Sequence, residues 1–247
     1  MKARSKKRKF RFLIFPFFLI LFSIATYYIL SLPIWKIQEV KVTGTNMLSA
    51  EEIRDLSGIP LSENLFLTSF SRTRNNLRKI SAILDFKIYR IPPATVLIKI
   101  AERKPIAVII FKGRSVIVDE DGAILNRNPN LTLNVPNLEE LPVISGIGTG
   151  EVVGEEKVDP KLSHLISGVI IELSSLLGSR RIQLELGGFE KISFLLDDML
   201  RVKVGRDENI KRKMEVFKAL MPVIANRWDQ VEYVDVRYPD NPVIKYK

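Results

Sequence analysis

From Phe12 to Trp35 the chain carries no charged side chain, and the eleven residues before it hold seven bases: Lys2, Arg4, Lys6, Lys7, Arg8, Lys9 and Arg11. At 1.5 Å per residue, positions 12–32 make a helix of ~31 Å, which matches the ~30 Å hydrocarbon core of a bilayer. Fourteen of these 21 residues are Phe, Leu or Ile. At roughly −0.3 to −0.6 kcal/mol each, they favour insertion by on the order of 6 kcal/mol. Pro16 lies near the basic end, while Tyr27, Tyr28 and Trp35 gather at the other, where interfacial aromatics belong. The expectation is a cytoplasmic basic arm (1–11), a transmembrane helix (12–32) and an exported remainder, because Lys36 and Glu39 nearly cancel beyond the span. A cleaved export signal is the competing reading. It is disfavoured by an apolar core longer than ~7 to 15 residues and by the lack of a small-x-small cleavage pattern in Tyr27-Tyr-Ile-Leu-Ser-Leu-Pro33.

The same arm decides what the charge means. Formal net charge is +10, but the first eleven residues contribute +7, so the other 236 carry only +3. A basic cluster beside a spanning helix acts on the anionic leaflet, so the phospholipid bilayer is an expected partner and nucleic acid is not. With 46% hydrophobic and 27% charged residues the rest is globular in composition. The absence of Cys excludes disulfides, thiolate metal sites and cysteine nucleophiles.

Beyond the anchor, Val40 and Val42 alternate with polar residues before Gly44, as in a half-buried strand. Ser49-Ala-Glu-Glu52 reads as a capping box that opens a helix carrying Ile53 and Leu56 and ending at Gly58. A second helix is predicted over 71–80, with Arg72, Arg74, Arg78 and Lys79 on its outer face. Two strands follow, one presenting Leu84, Phe86 and Ile88, the other Val96, Ile98 and Ile100, separated by Pro92-Pro93. The order is strand, helix, helix, strand, strand.

The second half begins β-rich, with a hairpin expected over 116–125 turning at Asp121-Gly122. Leu141-Pro-Val-Ile144 and a glycine loop, Gly146 to Gly150, come next. Asp159 and Pro160 then start a helix with Leu162, Leu165, Ile166, Val169, Leu173 and Leu176 on one face, closed by Gly178. Strands are predicted over 182–186, 191–196 and 200–204, joined at Gly187-Gly188 and Asp197-Asp198. A further helix from Asp207 buries Ile210, Met214, Phe217, Leu220 and Ile224, with Pro222 in its final turns. Val234 and Val236 face inward on the strand that follows.

Catalytic groups do not converge anywhere in this pattern. His164, the one histidine, has no metal-ligand spacing around it. The glycine loop lacks a GK[ST] and an immediately following helix. Asp119, Glu120 and Asp121, like Asp197-Asp198, read as solvated turns, and no Gly-x-Ser-x-Gly or Ser-x-x-Lys signature occurs. The expectation is no catalytic, metal or cofactor site, and hence not an enzyme.

Several phrases carry a resemblance. Val40-Lys-Val-Thr-Gly44, Ile91-Pro-Pro93 and Ile100-Ala-Glu-Arg-Lys-Pro105 resemble the polypeptide-transport-associated (POTRA) domain of FtsQ/DivIB cell division proteins. Val202-Lys-Val-Gly-Arg206 and Tyr233-Val-Asp-Val-Arg-Tyr238 are similar to the extracytoplasmic β domain of that family. The resemblance implies an α+β fold: an N-terminal transmembrane helix, a POTRA-type βααββ module (33–104), and a mixed α+β domain (105–247) with an extended antiparallel-rich sheet. It also implies a single-pass inner-membrane scaffold at the division septum that recruits and regulates septal peptidoglycan synthesis.

The partners implied are FtsB/DivIC-like and FtsL-like single-pass proteins at the final β segment, and an FtsK-like translocase at the POTRA-type module. On that resemblance the interface residues are Val236, Arg237, Tyr238, Val243, Ile244 and Tyr246. Val236 also reads as core, Arg237 as a solvated charge, and Tyr238 as a cover for the sheet end. Pro239 and Pro242 depart from the family pattern at this edge. Two other functions fit the anatomy: a POTRA-containing secretion or outer-membrane assembly component, which would carry several modules or a barrel, and a membrane-tethered hydrolase.

Overall fold

The computed structural model describes residues 4–147, 156–177, 180–188, 190–225 and 227–247, which form two compact units. The first holds the chain through Thr45 together with Ala50–Lys79 and Asp85–Ile100, and the second holds Asn46–Ser49, Ile80–Leu84 and Ala101–Lys247.

The first unit opens with helix α1 (Arg4–Leu30), which contains Pro16 and stops two residues short of the expected Leu32. From Phe15 to Ile29 its large apolar side chains point outward, Phe15 and Phe22 more than 70% exposed. The hydroxyls of Ser23 and Thr26 are satisfied within the helix, donating to Leu19 O and Phe22 O, both at 2.8 Å. Side chains of the basic arm and of Phe12 to Ile14 lie outside the described set. Among the described residues, no helix is long and apolar enough to cross a membrane.

The expected βααββ order follows. Strand β1 (Glu39–Thr43), helices α2 (Ala50–Ser57) and α3 (Ser71–Arg78), and strands β2 (Ile83–Ile91) and β3 (Thr95–Glu102) appear in turn. The sheet order is β1-β3-β2, with β1 parallel to β3. Ile53, Leu77, Val96 and Ile98 are fully buried at its centre. Gly44 ends β1 at φ +85, where any Cβ would strike the carbonyl of Ile100, so the close approach of β1 to β3 demands glycine. Leu56 and Leu84, expected inside, are 36% and 57% exposed; Leu84 sits on an edge strand. Helix α3 ends at Arg78, two residues short of the expected position 80; Arg72, Arg74 and Arg78 are exposed on it, and Lys79 is exposed at its C-cap.

The second unit is built on one sheet of eight strands: β4 (Ala107–Phe111), β5 (Arg114–Val118), β6 (Val143–Ser145), β7 (Ile182–Leu186), β8 (Ile192–Leu196), β9 (Leu200–Gly205), β10 (Val231–Asp235) and β11 (Val243–Tyr246). Their spatial order is β11-β10-β9-β8-β7-β6-β4-β5. Pairing is antiparallel at β4/β5, β7/β8, β8/β9 and β10/β11 and parallel at β4/β6, β6/β7 and β9/β10. Strict alternation buries Ile182, Leu184, Leu186, Phe194, Val202 and Val234 on one face. Helices α4 (Pro160–Leu177) and α5 (Ile210–Ile224) contribute Leu162, Ile166, Val169, Leu173, Met214 and Phe217 to the same core. Phe194 and Phe217 meet edge to face at 5.4 Å. Asp159 starts α4, its Oδ1 accepting from Lys161 N at 2.8 Å.

Two expectations change. The regular two-stranded hairpin turns at Lys112-Gly113, where φ is +49 and +75; the chain also reverses at Asp121-Gly122, with Gly122 at φ +72, but residues 119–125 form no strand there and make isolated bridges alone, Val118 to Ile124 and Ala123 to Lys157. The cause is Asp119, which is 4% exposed and accepts from Ala123 N at 2.7 Å, tightening the chain out of strand geometry. Helix α5 starts at Ile210 rather than Asp207 because Asn209 is left-handed at φ +56. Leu176's side chain and the residues Gly148, Gly150 and Gly178 lie outside what is described.

Candidate protein-docking edge

At one end of the eight-stranded sheet stands β11, four residues long, paired antiparallel with β10 and with no strand on its other side among the described residues. Its register is Asp235↔Val243, Val234↔Ile244 and Tyr233↔Lys245. Lys247 N donates to Gln230 O at 2.9 Å, and Val236 N donates to Lys203 O at 2.9 Å on the far side of β10. Backbone groups alternate in direction along a strand. Val243 and Lys245 therefore share the inward direction of Lys247, and the N–H and C=O of Ile244 and Tyr246 point away from the sheet. These are the free ladder positions.

The connection between β10 and β11 is a turn in which Asn241 N donates to Tyr238 O at 3.0 Å, with Pro239 at its second position, where its restricted φ suits the turn. Both Pro239 and Pro242 fall outside β10 and β11, so neither removes a donor from the ladder. Tyr238 stands at the first position of the turn, 71% exposed.

The six residues named from the sequence divide by burial. Val236 is fully buried and lies in the core, so any contribution to docking is to position its neighbours. Ile244 is half-buried against the core. Tyr238, Val243 and Tyr246 are 71%, 49% and 43% exposed. Arg237 is exposed but occupied: its guanidinium grips Asp235 through Nε at 2.9 and 3.0 Å and Nη2 at 2.6 Å. Burial works to raise the Asp235 carboxyl, but the hydrogen bonds and charge of Arg237, with the Lys203 cation, outweigh it and hold the group below the usual carboxylate range.

Both second-domain motifs are explained by this corner. Strands β9 and β10 lie side by side, and Gly205, at φ +74, leaves room for the aliphatic stem of Arg237; a Cβ there would come within 2.9 Å of Arg237 Cγ. The residue after Gly205 is Arg206, whose carbonyl accepts from the buried Lys213 Nζ at 2.8 Å. Burial lowers the Lys213 pKa despite the nearby Glu208 and Asp207 carboxylates.

Sequence reasoning missed the exposed face beside the edge. There Lys203 Nζ lies 3.4 Å from the Tyr233 ring centroid, and Lys245 Nζ pairs with Glu232 at 2.8 Å, which raises the lysine's pKa. Alternation along β10 and β11 was the available signal, but only the register reveals which residues face each other.

The acidic turns considered for metal are held by arginines. Asp119 pairs with Arg103, itself 19% exposed, and Asp197 and Asp198 pair with Arg180 and Arg181 at 2.7 and 3.1 Å. Among the described residues no group of three His, Cys, Asp or Glu side chains could hold a metal ion. His164 is on an exposed position of α4. In the Glu102-Arg103-Lys104-Pro105 phrase, the Glu102 carboxylate accepts from the backbone N–H groups of Asn46, Met47 and Leu48 at 2.9, 2.9 and 2.8 Å.

Comparison with known proteins agrees with this anatomy. Residues 35–103 match the family model of the POTRA domain, FtsQ-type, and residues 107–237 match that of the cell division protein FtsQ/DivIB C-terminal region. Among curated relatives, a cell division protein FtsQ of Streptomyces bingchenggensis is 24% identical over 216 residues, 85% of this chain and 76% of that protein. Cell division proteins DivIB of Clostridium acetobutylicum and Clostridium botulinum are each 24% identical, over 87% and 98% of this chain and 84% and 94% of their own lengths.

Proposed function

We propose that this chain, which belongs to the FtsQ/DivIB family of cell division proteins, is a bitopic scaffold that docks partners by strand addition at β11. A role in cell division, at the septum and among other division proteins, comes with the family. Residues 12–32 cross the inner membrane with the basic arm in the cytoplasm, 33–104 form the POTRA-type module and 105–247 the partner-binding domain. An extended segment of an FtsB/DivIC-like partner, with an FtsL-like protein in the same complex, bonds to the outward backbone groups of Ile244 and Tyr246. Tyr238, Val243 and Tyr246 supply side-chain contact. An FtsK-like translocase engages the POTRA-type module. The chain performs no catalysis itself; it recruits and regulates the enzymes of septal peptidoglycan synthesis.

The observation that carries this reading is the open flank of β11, whose outward donors and acceptors a second backbone can complete. Because the Tyr246 N–H points away from β10, Tyr246→Pro removes a donor the fold does not use. Lys245→Pro removes one directed at β10. In a membrane pull-down of the full chain, Tyr246→Pro is expected to lose the single-pass partner while keeping the parent melting temperature, and Lys245→Pro to lower that temperature. Undiminished capture by a folded Tyr246→Pro protein would move the interface elsewhere.

A further inference from the structure

The C-terminal end of α1 is stitched to a loop of its own unit. Leu30 O accepts from Asn64 Nδ2 at 2.6 Å and Ile29 O from Trp35 Nε1 at 2.7 Å, and the Trp35 ring meets Phe66 edge to face at 5.1 Å. Residues 35–37 and 62–65 lie antiparallel, with Ser62 N donating to Ile37 O, Ile37 N to Glu63 O and Leu65 N to Trp35 O at 2.8, 2.8 and 2.7 Å. Carbonyls of the last turn are thus tied to side chains of the folded unit, Leu30 O to Asn64 and Ile29 O, which also accepts from Leu32 N at 3.3 Å, to Trp35.

Around this junction four aliphatic side chains face outward: Leu32 at 45% exposure, Ile34 at 56%, Leu61 at 59% and Leu67 at 55%. Their neighbours Ile37, Leu65 and Phe70 are buried, so the core passes over these four although it packs the residues between them. One carboxylate, Glu63, lies in the loop and accepts from Thr68 Oγ1 at 3.1 Å. Helix α3 opens directly beyond Phe70, with Arg72 and Arg74 exposed and, among the described residues, in no ion pair.

We propose that Leu32, Ile34, Leu61 and Leu67 form a membrane-surface contact that seats the first unit on the extracytoplasmic lipid interface around the exit of α1. The inference rests on α1 crossing the bilayer. Its occupant is the phospholipid interface because Leu32 and Ile34 directly follow that helix, and Leu61 and Leu67 belong to the loop hydrogen-bonded to its end. Trp35, whose indole bonds to the end of the helix, is of the residue type that settles at this interface, and the exposed arginines at the start of α3 suit anionic headgroups. A loop bonded to the helix end cannot leave the bilayer surface while the helix spans, so the contact costs little additional ordering.

The chain has no Cys, so single labelling sites are available in the full-length protein. Leu61→Cys, Leu67→Cys and Tyr28→Cys would each carry an environment-sensitive fluorophore, in phosphatidylethanolamine/phosphatidylglycerol vesicles with lipid-borne quenchers at shallow or deep acyl positions. The expected result is quenching at Tyr28 together with stronger shallow than deep quenching at Leu61 and Leu67, and shielding of both from aqueous iodide. Quenching at Tyr28 with none at Leu61 and Leu67 overturns the inference and leaves the span standing. No quenching at Tyr28 removes the span and the inference with it. Iodide shielding of Leu61 and Leu67 that grows with protein-to-lipid ratio, without lipid quenching, would assign the surface to a second copy and overturn the inference.

Discussion

The two ends of the eight-stranded sheet treat the same physical problem in opposite ways. At the β5 end the chain covers its own edge: Asn126 Oδ1 accepts from Ile117 N at 3.0 Å, Asn126 Nδ2 donates to Ser115 O at 2.8 Å, and Leu125 N donates to Ile117 O at 2.8 Å. At the β11 end nothing among the described residues covers the outward groups of Ile244 and Tyr246. An unpaired edge invites association with any extended chain, and proteins usually blunt it. With one edge closed by a dedicated segment and the other left open, the strand addition proposed above would be directed to a single flank.

Three measurements sharpen that contrast. The segment covering β5 is held by Asp119, whose Oδ1 turns the chain and whose Oδ2 meets Arg103. Arg103→Met leaves a buried carboxylate without its cation, and urea unfolding is expected to show a loss of about 3 kcal/mol, as when one partner of a buried pair is removed. A much smaller loss would mean that Asp119 is held by its backbone bond alone.

Next in size is Asn126→Ala, which uncovers the β5 edge. A stability loss of about 1 kcal/mol is expected from one part-buried donor left unpaired. Sedimentation should also show new self-association absent from the parent, and a monomeric variant would show that the covering is not protective.

The smallest effect lies at the open edge. The Asp235 carboxyl is held low in the folded chain by Arg237, so its contribution is present above the ordinary aspartate pKa, about 3.9. That contribution is lost as pH falls through the folded value. Arg237→Gln should lower stability slightly at pH 7, where the contribution is present, leave it unchanged below the folded value, and so flatten the acid limb of the profile. An unchanged acid limb would show that the pair is screened by solvent.

What could be read ahead of the structure was whatever repeats locally. The burial alternation of β7, β8 and β9 and the apolar faces of α4 and α5 follow from period 2 and period 3.6. Asp159-Pro160 marked the start of α4 because both residues satisfy or omit the unpaired donors of a first turn. The hairpin over 116–125 is legible only in part for a related reason. Asp-Gly marks a turn wherever it stands, and the chain does reverse at Asp121-Gly122, but only the pairing of buried Asp119 with Arg103 decides that the returning segment closes over β5 without forming a strand.

Docking residues were legible only as a segment. Six residues were named together from one resemblance, and the structure sorts them into a core valine, an arginine committed to Asp235, a half-buried Ile244 and three exposed side chains. The direction of a backbone N–H depends on which strand lies beside it, and that neighbour is far away in sequence.

By itself the amino-acid order determined the elements, their sequence along the chain, the apolar N-terminal helix and the family phrases, since each depends on residues within a few turns of one another. Tertiary structure alone decided that β9 and β10 run parallel so that Gly205 receives Arg237, that Asn126 seals one flank, and that Ile244 and Tyr246 turn their backbone outward at the other. Strand order and register arise from contacts between distant segments, and a shift of one residue would reverse every face.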